Sequence, residues 1–169
     1  ICLLYQRARK FPSNRATLYE KALRVLLEEW AGEKGLPQEE IYRGLDTRLK
    51  ETLLSEIAYN AFKEDRLFLP RREVSEQIEE FLEEVLIDER IDGKAVLKSI
   101  EVQHGVFVER AEGIYSFSHL TLQEYLTAQY IDDHRQLDSF VDRHLTDSRW
   151  REVFLLVAGL MRGGADELL

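Results

Sequence analysis

Three observations predict a mainly α-helical fold carrying one small β-hairpin. Apolar residues recur at i, i+3 and i+4 along most of the chain, the spacing of a buried helical face. The stretch Val106–Ser118 alternates instead, and its Ala111-Glu112-Gly113 segment supplies the Gly that a tight hairpin loop commonly needs for positive φ. With 44% hydrophobic and 33% charged residues, the composition argues against disorder as the main state.

Taken in order, Ile1–Lys10 reads as the tail of a helix closed by Phe11-Pro12. Ser13 or Asn14 caps the next helix, which runs to about Trp30 on Leu18, Tyr19, Ala22, Leu23, Val25, Leu26 and Trp30. Gly32 and Gly35-Leu36-Pro37 stop it. Leu49, Leu53, Leu54, Ile57, Ala58, Ala61 and Phe62 mark an amphipathic helix, and Leu67-Phe68-Leu69 before Pro70 reads as a short extended piece. Arg71-Arg72 reads as a solvated pair at a helix start. Val74, Ile78, Phe81, Leu82 and Val85 carry that helix, with Glu73, Glu76, Glu79, Glu80, Glu83 and Glu84 on its wet side. Asp92 caps a third helix holding Ala95, Val96, Leu97 and Ile100, and the hairpin follows. Three helices, a short strand and a two-stranded wing in this order make the winged-helix arrangement.

Beyond the hairpin a long helix is expected from Thr121 to His134, a shorter one over Gln136–Leu145, and an apolar one from Ser148 to Met161 ended by Gly163-Gly164. The expected division is a helical segment over 1–45, a winged-helix domain over 46–118, and further helices over 119–169. His119 stands at the junction of strand and long helix. Thr121 and Glu124 have the [ST]-x-x-E spacing of a capping box, in which Thr121 accepts from a free helix N–H while Glu124 reaches back to the Thr121 N–H.

The run Phe117-Ser118-His119-Leu120-Thr121-Leu122-Gln123-Glu124-Tyr125-Leu126-Thr127-Ala128 resembles the F-x-H-x-[ST]-F-Q-E-[YF]-x-A-A signature of the winged-helix domain in NACHT-type (STAND) signalling NTPases. Leu122 stands where the family usually has Phe, and Thr127 where it often has Leu or Ala; both departures concern packing. Pro12-Ser13-Asn14-Arg15-Ala16-Thr17-Leu18-Tyr19-Glu20 and Leu26-Leu27-Glu28-Glu29-Trp30 resemble the end of the helical domain that follows a NACHT core. Arg149-Trp150-Arg151-Glu152-Val153-Phe154-Leu155-Leu156 resembles the helix that often opens the next helical domain.

The resemblance implies a piece of a longer nucleotide switch. It implies that His119 reaches the β-phosphate of ADP held by a neighbouring NTPase domain. Phe117, Thr121, Glu124, Tyr125, Trp30 and Trp150 are then structural members of the motifs. It also implies that the winged helix closes on that domain with ADP bound, and that exchange for ATP frees a surface for homo-oligomerisation in cytoplasmic, immunity-like defence signalling. ADP or ATP with Mg would belong to the parent protein, and the fragment itself would hold no cofactor. The implied partner is the chain's own upstream NTPase domain.

Catalytic patterns are missing from the sequence. There is no G-x-x-x-x-G-K-[ST] loop, no G-x-G-x-x-G and no G-x-S-x-G elbow, so no enzymatic activity is expected of the fragment alone. A single Cys2 excludes an internal disulfide and suits a reducing compartment. His104, His119, His134 and His144 lack metal-ligand spacing, so no metal site is expected. A free-standing winged-helix DNA regulator is the first alternative, opposed by a net charge of −9 and by an excess of acidic residues in the winged-helix segment itself. A helical protein-interaction adaptor is the second. The apolar run Val153–Met161 is far shorter than the ~20 residues of a membrane-spanning helix, so no membrane partner is expected.

Overall fold

The structure is a computed structural model that describes residues 14–29, 45–86 and 91–161. The expected Ile1–Lys10 helix, Cys2, Trp30, the stop at Gly32, Gly35 and Pro37, and Gly163-Gly164 lie outside the described residues.

Helix α1 (Arg15–Arg24) starts at Asn14, whose side chain accepts from the Ala16 N–H. The same side chain donates to the Gly159 carbonyl at 2.7 Å, which joins the first described helix to the last. The α-helix expected to continue to Trp30 changes at Val25 into a π-helix, Val25–Glu29. Such a turn shifts the hydrogen-bond ladder by one residue and frees a carbonyl for another partner. Here the Leu26 carbonyl meets the His104 ring.

Helix α2 (Thr47–Lys63) is capped by Asp46, which accepts from the Leu49 N–H at 2.7 Å. It buries Leu53, Leu54, Ile57, Ala58, Ala61 and Phe62, the face the spacing predicts, while Leu49 is half-buried. Asp65, at φ 57, reverses the chain after it, a conformation Asp tolerates better than most residues. Strand β1 is only Leu69–Pro70. The extended piece expected at Leu67-Phe68-Leu69 is thus shorter and shifted, and Leu67 and Phe68 stay 51% and 58% exposed. The reason is reach. Leu69 and Pro70 meet Tyr115 and Ile114, the Arg71 N–H bonds the Gly113 carbonyl at 2.7 Å, and the chain then turns into a helix.

Helix α3 (Arg71–Val85) buries Val74, Ile78 and Leu82 and leaves Glu76, Glu80, Glu83 and Glu84 exposed, whereas Glu79, expected on the wet side, is half-buried and accepts from the Gly93 N–H at 2.9 Å. Its basic pair is not simply solvated. Arg72 pairs with Glu76 at 2.7 Å, and Arg71 pairs with Glu109 of the wing and lies over the Tyr115 ring. Helix α4 (Gly93–His104) is capped by Asp92, which accepts from Lys94 and Ala95, and buries Val96, Leu97 and Ile100. Helices α3 and α4 approach so closely at Gly93 that a Cβ there would lie 2.2 Å from the Ser75 carbonyl oxygen.

Strands β2 (Phe107–Ala111) and β3 (Ile114–Phe117) form the wing, with Gly113 at φ 71 in the turn between them. The sheet is antiparallel in the order β1-β3-β2. Phe107 pairs with Phe117, their ring centroids 4.5 Å apart, and both side chains enter the core. The register shifts between Glu109 and Ala111, so Arg110 occupies a bulge.

Helix α5 (Leu120–Asp133) returns from the wing and packs most extensively against α2 on one side and a terminal helix, α7 (Arg151–Leu160), on the other. It therefore buries residues around much of its circumference: Leu122, Gln123, Tyr125, Leu126, Thr127, Ala128 and Ile131. Helix α6 (Leu137–His144) and a 3₁₀ turn (Ser148–Trp150) connect α5 to α7. Among the described residues no helix is long and apolar enough to cross a membrane. The fold is mainly α, with a winged-helix core and a three-stranded sheet.

Candidate functional site

The site is built where β3 delivers the chain to α5. The Ser118 N–H makes the last ladder bond, to the Val106 carbonyl at 2.8 Å. His119 follows in extended conformation (φ −135°, ψ 135°) as the N-cap residue of α5. Its carbonyl accepts from the Leu122 N–H at 3.0 Å and the Gln123 N–H at 3.4 Å, so its backbone is held by the first helical turn. Its imidazole is exposed and makes no capping bond to that turn.

The expected capping box does not form. The helix begins at Leu120, which places Thr121 and Glu124 inside it, and no side chain caps its N-terminus. Tertiary packing decides the start: Ser118 is still bound to Val106, the residue that leads into β2, and His119 is the first residue free to turn. Thr121 is exposed. Glu124 is half-buried, and burial with Glu152 nearby pushes its carboxyl above the ordinary range.

Beneath His119 the other motif residues are core. Phe117 is buried against Phe107. Gln123 is buried and donates to the Arg66 carbonyl at 3.3 Å, fixing α5 to the turn after α2. Tyr125 is buried, 6.2 Å from Tyr19 between ring centroids, and burial followed by Glu20 and Glu51 raises its phenol pKa. Trp150 is fully buried and far from a solvent-facing role. It meets Phe62 and Phe140 edge-on at 4.8 and 5.4 Å, and His144 stacks on it at 4.1 Å. Trp30 lies outside the described residues.

Beside His119 the surface is mixed. Leu120 is 50% exposed and borders a groove with Phe62 and Leu67, Arg66 and Arg149, and Asp65 and Glu124, in which Arg149 pairs with Asp65 at 3.1 Å. On the wing side, Arg110 donates from Nε to Ser116 Oγ at 2.9 Å and from Nη2 to the Ser118 carbonyl at 3.3 Å. Sequence reasoning missed Arg110, because its reach depends on the bulge. It also left His104 without a role, though a His closing a helix before Gly105 was a visible signal. His134 bonds the Tyr130 carbonyl of its own helix at 2.9 Å, as a helix-terminal His would.

An exposed imidazole at an uncapped helix N-terminus is a donor set suited to one phosphate oxygen. By contrast, an open cleft of about 740 Å³ between α1, α2 and α5 is lined by Glu20, Glu28, Glu51, Asp132 and Asp133 against Arg24 and Arg48, which suits an anion poorly.

A family model described as the winged helix-turn-helix domain C-terminal to NACHT matches residues 15–131. The match spans α1 to the end region of α5 and includes His119. No curated protein and no solved structure matches the chain.

Proposed function

The chain belongs to the family of winged helix-turn-helix domains C-terminal to NACHT, and from that premise we propose that His119 senses the phosphate of ADP held by the NTPase domain of the same protein. The domain itself is regulatory and non-catalytic. In the proposed closed state the winged helix folds onto the NTPase domain, with Leu120, next to His119 in the chain, and Leu67, exposed in the same groove, as apolar contacts. Exchange for ATP removes the geometry that His119 reads, releases the winged helix and permits self-assembly in the cytoplasm. Mg and nucleotide stay with the NTPase domain.

One observation carries this reading: an exposed His at the uncapped N-terminus of α5, with its ring free of any capping bond. When bound, ADP supplies a terminal phosphate oxygen as acceptor. The imidazole N–H donates to it, and the helix end adds positive potential at no cost in reorganisation. A charge-assisted hydrogen bond of this kind contributes about 1–3 kcal/mol, enough to bias a two-state switch several-fold or more. A nucleic-acid role finds less support. Lys98 on α4 is bound to Glu101 at 2.9 Å, and the chain carries a net charge of −9.

The test is the nucleotide that the full-length protein retains on purification. Wild type is expected to carry stoichiometric ADP, and His119→Ala markedly less. Equal retention with equal exchange rates would make His119 a structural histidine and remove the phosphate-sensing role.

A further inference from the structure

The geometry points to Arg110 as the positioning residue that fixes His119, an inference that rests on the phosphate-sensing reading above. The His119 ring hangs from a backbone that no N-cap side chain stabilises. The helical N–H groups of Leu122 and Gln123 hold its carbonyl on one side, so what remains to orient the ring is the peptide unit before it, the one that contains the Ser118 carbonyl. Two bonds hold that region. The Ser118 N–H donates to the Val106 carbonyl, which sets the strand. The Ser118 carbonyl accepts from Arg110 Nη2, which sets the rotation of the Ser118–His119 peptide plane.

The wing is built to make the second bond. Arg110 is the extra residue of the bulge between Glu109 and Ala111. A bulge re-aims the side chain it carries and adds local twist. From there the guanidinium reaches along β3 and grips it twice, at Ser116 Oγ with Nε and at the Ser118 carbonyl with Nη2. Ser116 is buried and its hydroxyl is turned to the Phe117 carbonyl at 3.0 Å, so the first grip is on a fixed atom. The planar fork then transmits that fixed position to the second grip, which a flexible ammonium would not do.

A merely structural strap is the simpler role, and it predicts a different result. Arg110 is itself exposed, and the core contacts of the wing run through Phe107, Tyr115 and Phe117. Loss of Arg110 should leave the fold and cost only the alignment of His119. The fork also holds a positive charge one peptide away from the histidine, on the side of the wing.

The experiment is a double-mutant cycle in the full-length protein. Radiolabelled ADP is bound, chased with unlabelled ADP, and its dissociation rate measured for wild type, His119→Ala, Arg110→Gln and the double variant. The assignment expects Arg110→Gln to release ADP at least three-fold faster than wild type. It also expects no further acceleration in the double variant over His119→Ala alone. Arg110→Lys, which keeps the charge without the fork, should release ADP as fast as Arg110→Gln and serves in its place should the Gln variant fold poorly. An unchanged rate in Arg110→Gln, additive effects in the double variant, or full recovery in Arg110→Lys would each overturn the positioning role while leaving His119 as the sensor. An unchanged rate in His119→Ala would instead overturn the sensing role, and the inference with it.

Discussion

The Nδ1 atom of His104 lies 2.9 Å from the carbonyl oxygen of Leu26, joining the last residue of α4 to the π-helix that ends α1. A carbonyl only accepts, so Nδ1 carries the proton and the neutral ring is the Nδ1–H tautomer. The bond crosses 78 residues and ties the first described helix to the helix that precedes the wing. The imidazole is buried, and burial, opposed by the Leu26 bond and aided by the Lys50 charge, lowers its pKa to about 4.

This arrangement predicts an acid-sensitive fold. The folded pKa lies below the unfolded value of 6.5, so the unfolded chain takes up the proton first as pH falls. The stability His104 contributes is therefore complete above about pH 6.5 and is lost as the pH drops towards 4, to a total of about 3 kcal/mol. The urea midpoint measured across that range should fall in wild type, and the fall should be shallower in His104→Asn. Parallel profiles for the two proteins would assign the acid limb to other groups.

One cap and one apparent cap make a second prediction. Asp92 accepts from the Lys94 and Ala95 N–H groups, whereas Thr121 caps nothing and is exposed. Asp92→Ala should cost about 1 kcal/mol, the usual loss at an N-cap. Thr121→Ala should stay within about 0.5 kcal/mol of wild type, as surface substitutions do. Denaturant titration of both variants decides it, and a larger loss from Thr121→Ala would restore the capping box.

Trp150 carries a third. It is fully buried among Phe62, Phe140 and His144, and its indole N–H is buried with no hydrogen-bond partner among the described residues. Trp150→Ala should cost about 3–5 kcal/mol through lost contacts and the cavity left behind. Trp150→Phe should cost much less, since it keeps an aromatic ring and removes a buried polar group. Thermal unfolding would rank them, and equal losses would show that the cluster depends on the indole's full size.

Much of the fold is written in local spacing. The buried faces of α2, α3 and α4 follow from Leu53, Ile57, Val74, Ile78, Val96 and Ile100 recurring at helical intervals, because each of these helices buries one side. Asp92 was legible as a cap because its bonds are to residues two and three places away. The same kind of reading failed at Thr121. The start of α5 is set by the ladder bond of Ser118 to Val106 across the wing, and local spacing holds no information about a partner strand. The β1 strand was misplaced for a like reason: only pairing with Tyr115 and Ile114 defines which residues are extended.

The sequence alone determined the helical periodicity, the hairpin with Gly113 in its turn, and the placing of His119 between a strand and a helix, because these depend on neighbours within a few residues. The motif around His119 also carried the family, which the match over residues 15–131 bears out. Tertiary structure alone decided that α5 is uncapped, that α1 ends in a π-helix facing His104, and that Arg110 grips the peptide before His119. Each of those rests on a bond or register set when distant elements meet, and no local pattern encodes where a distant donor or acceptor will stand.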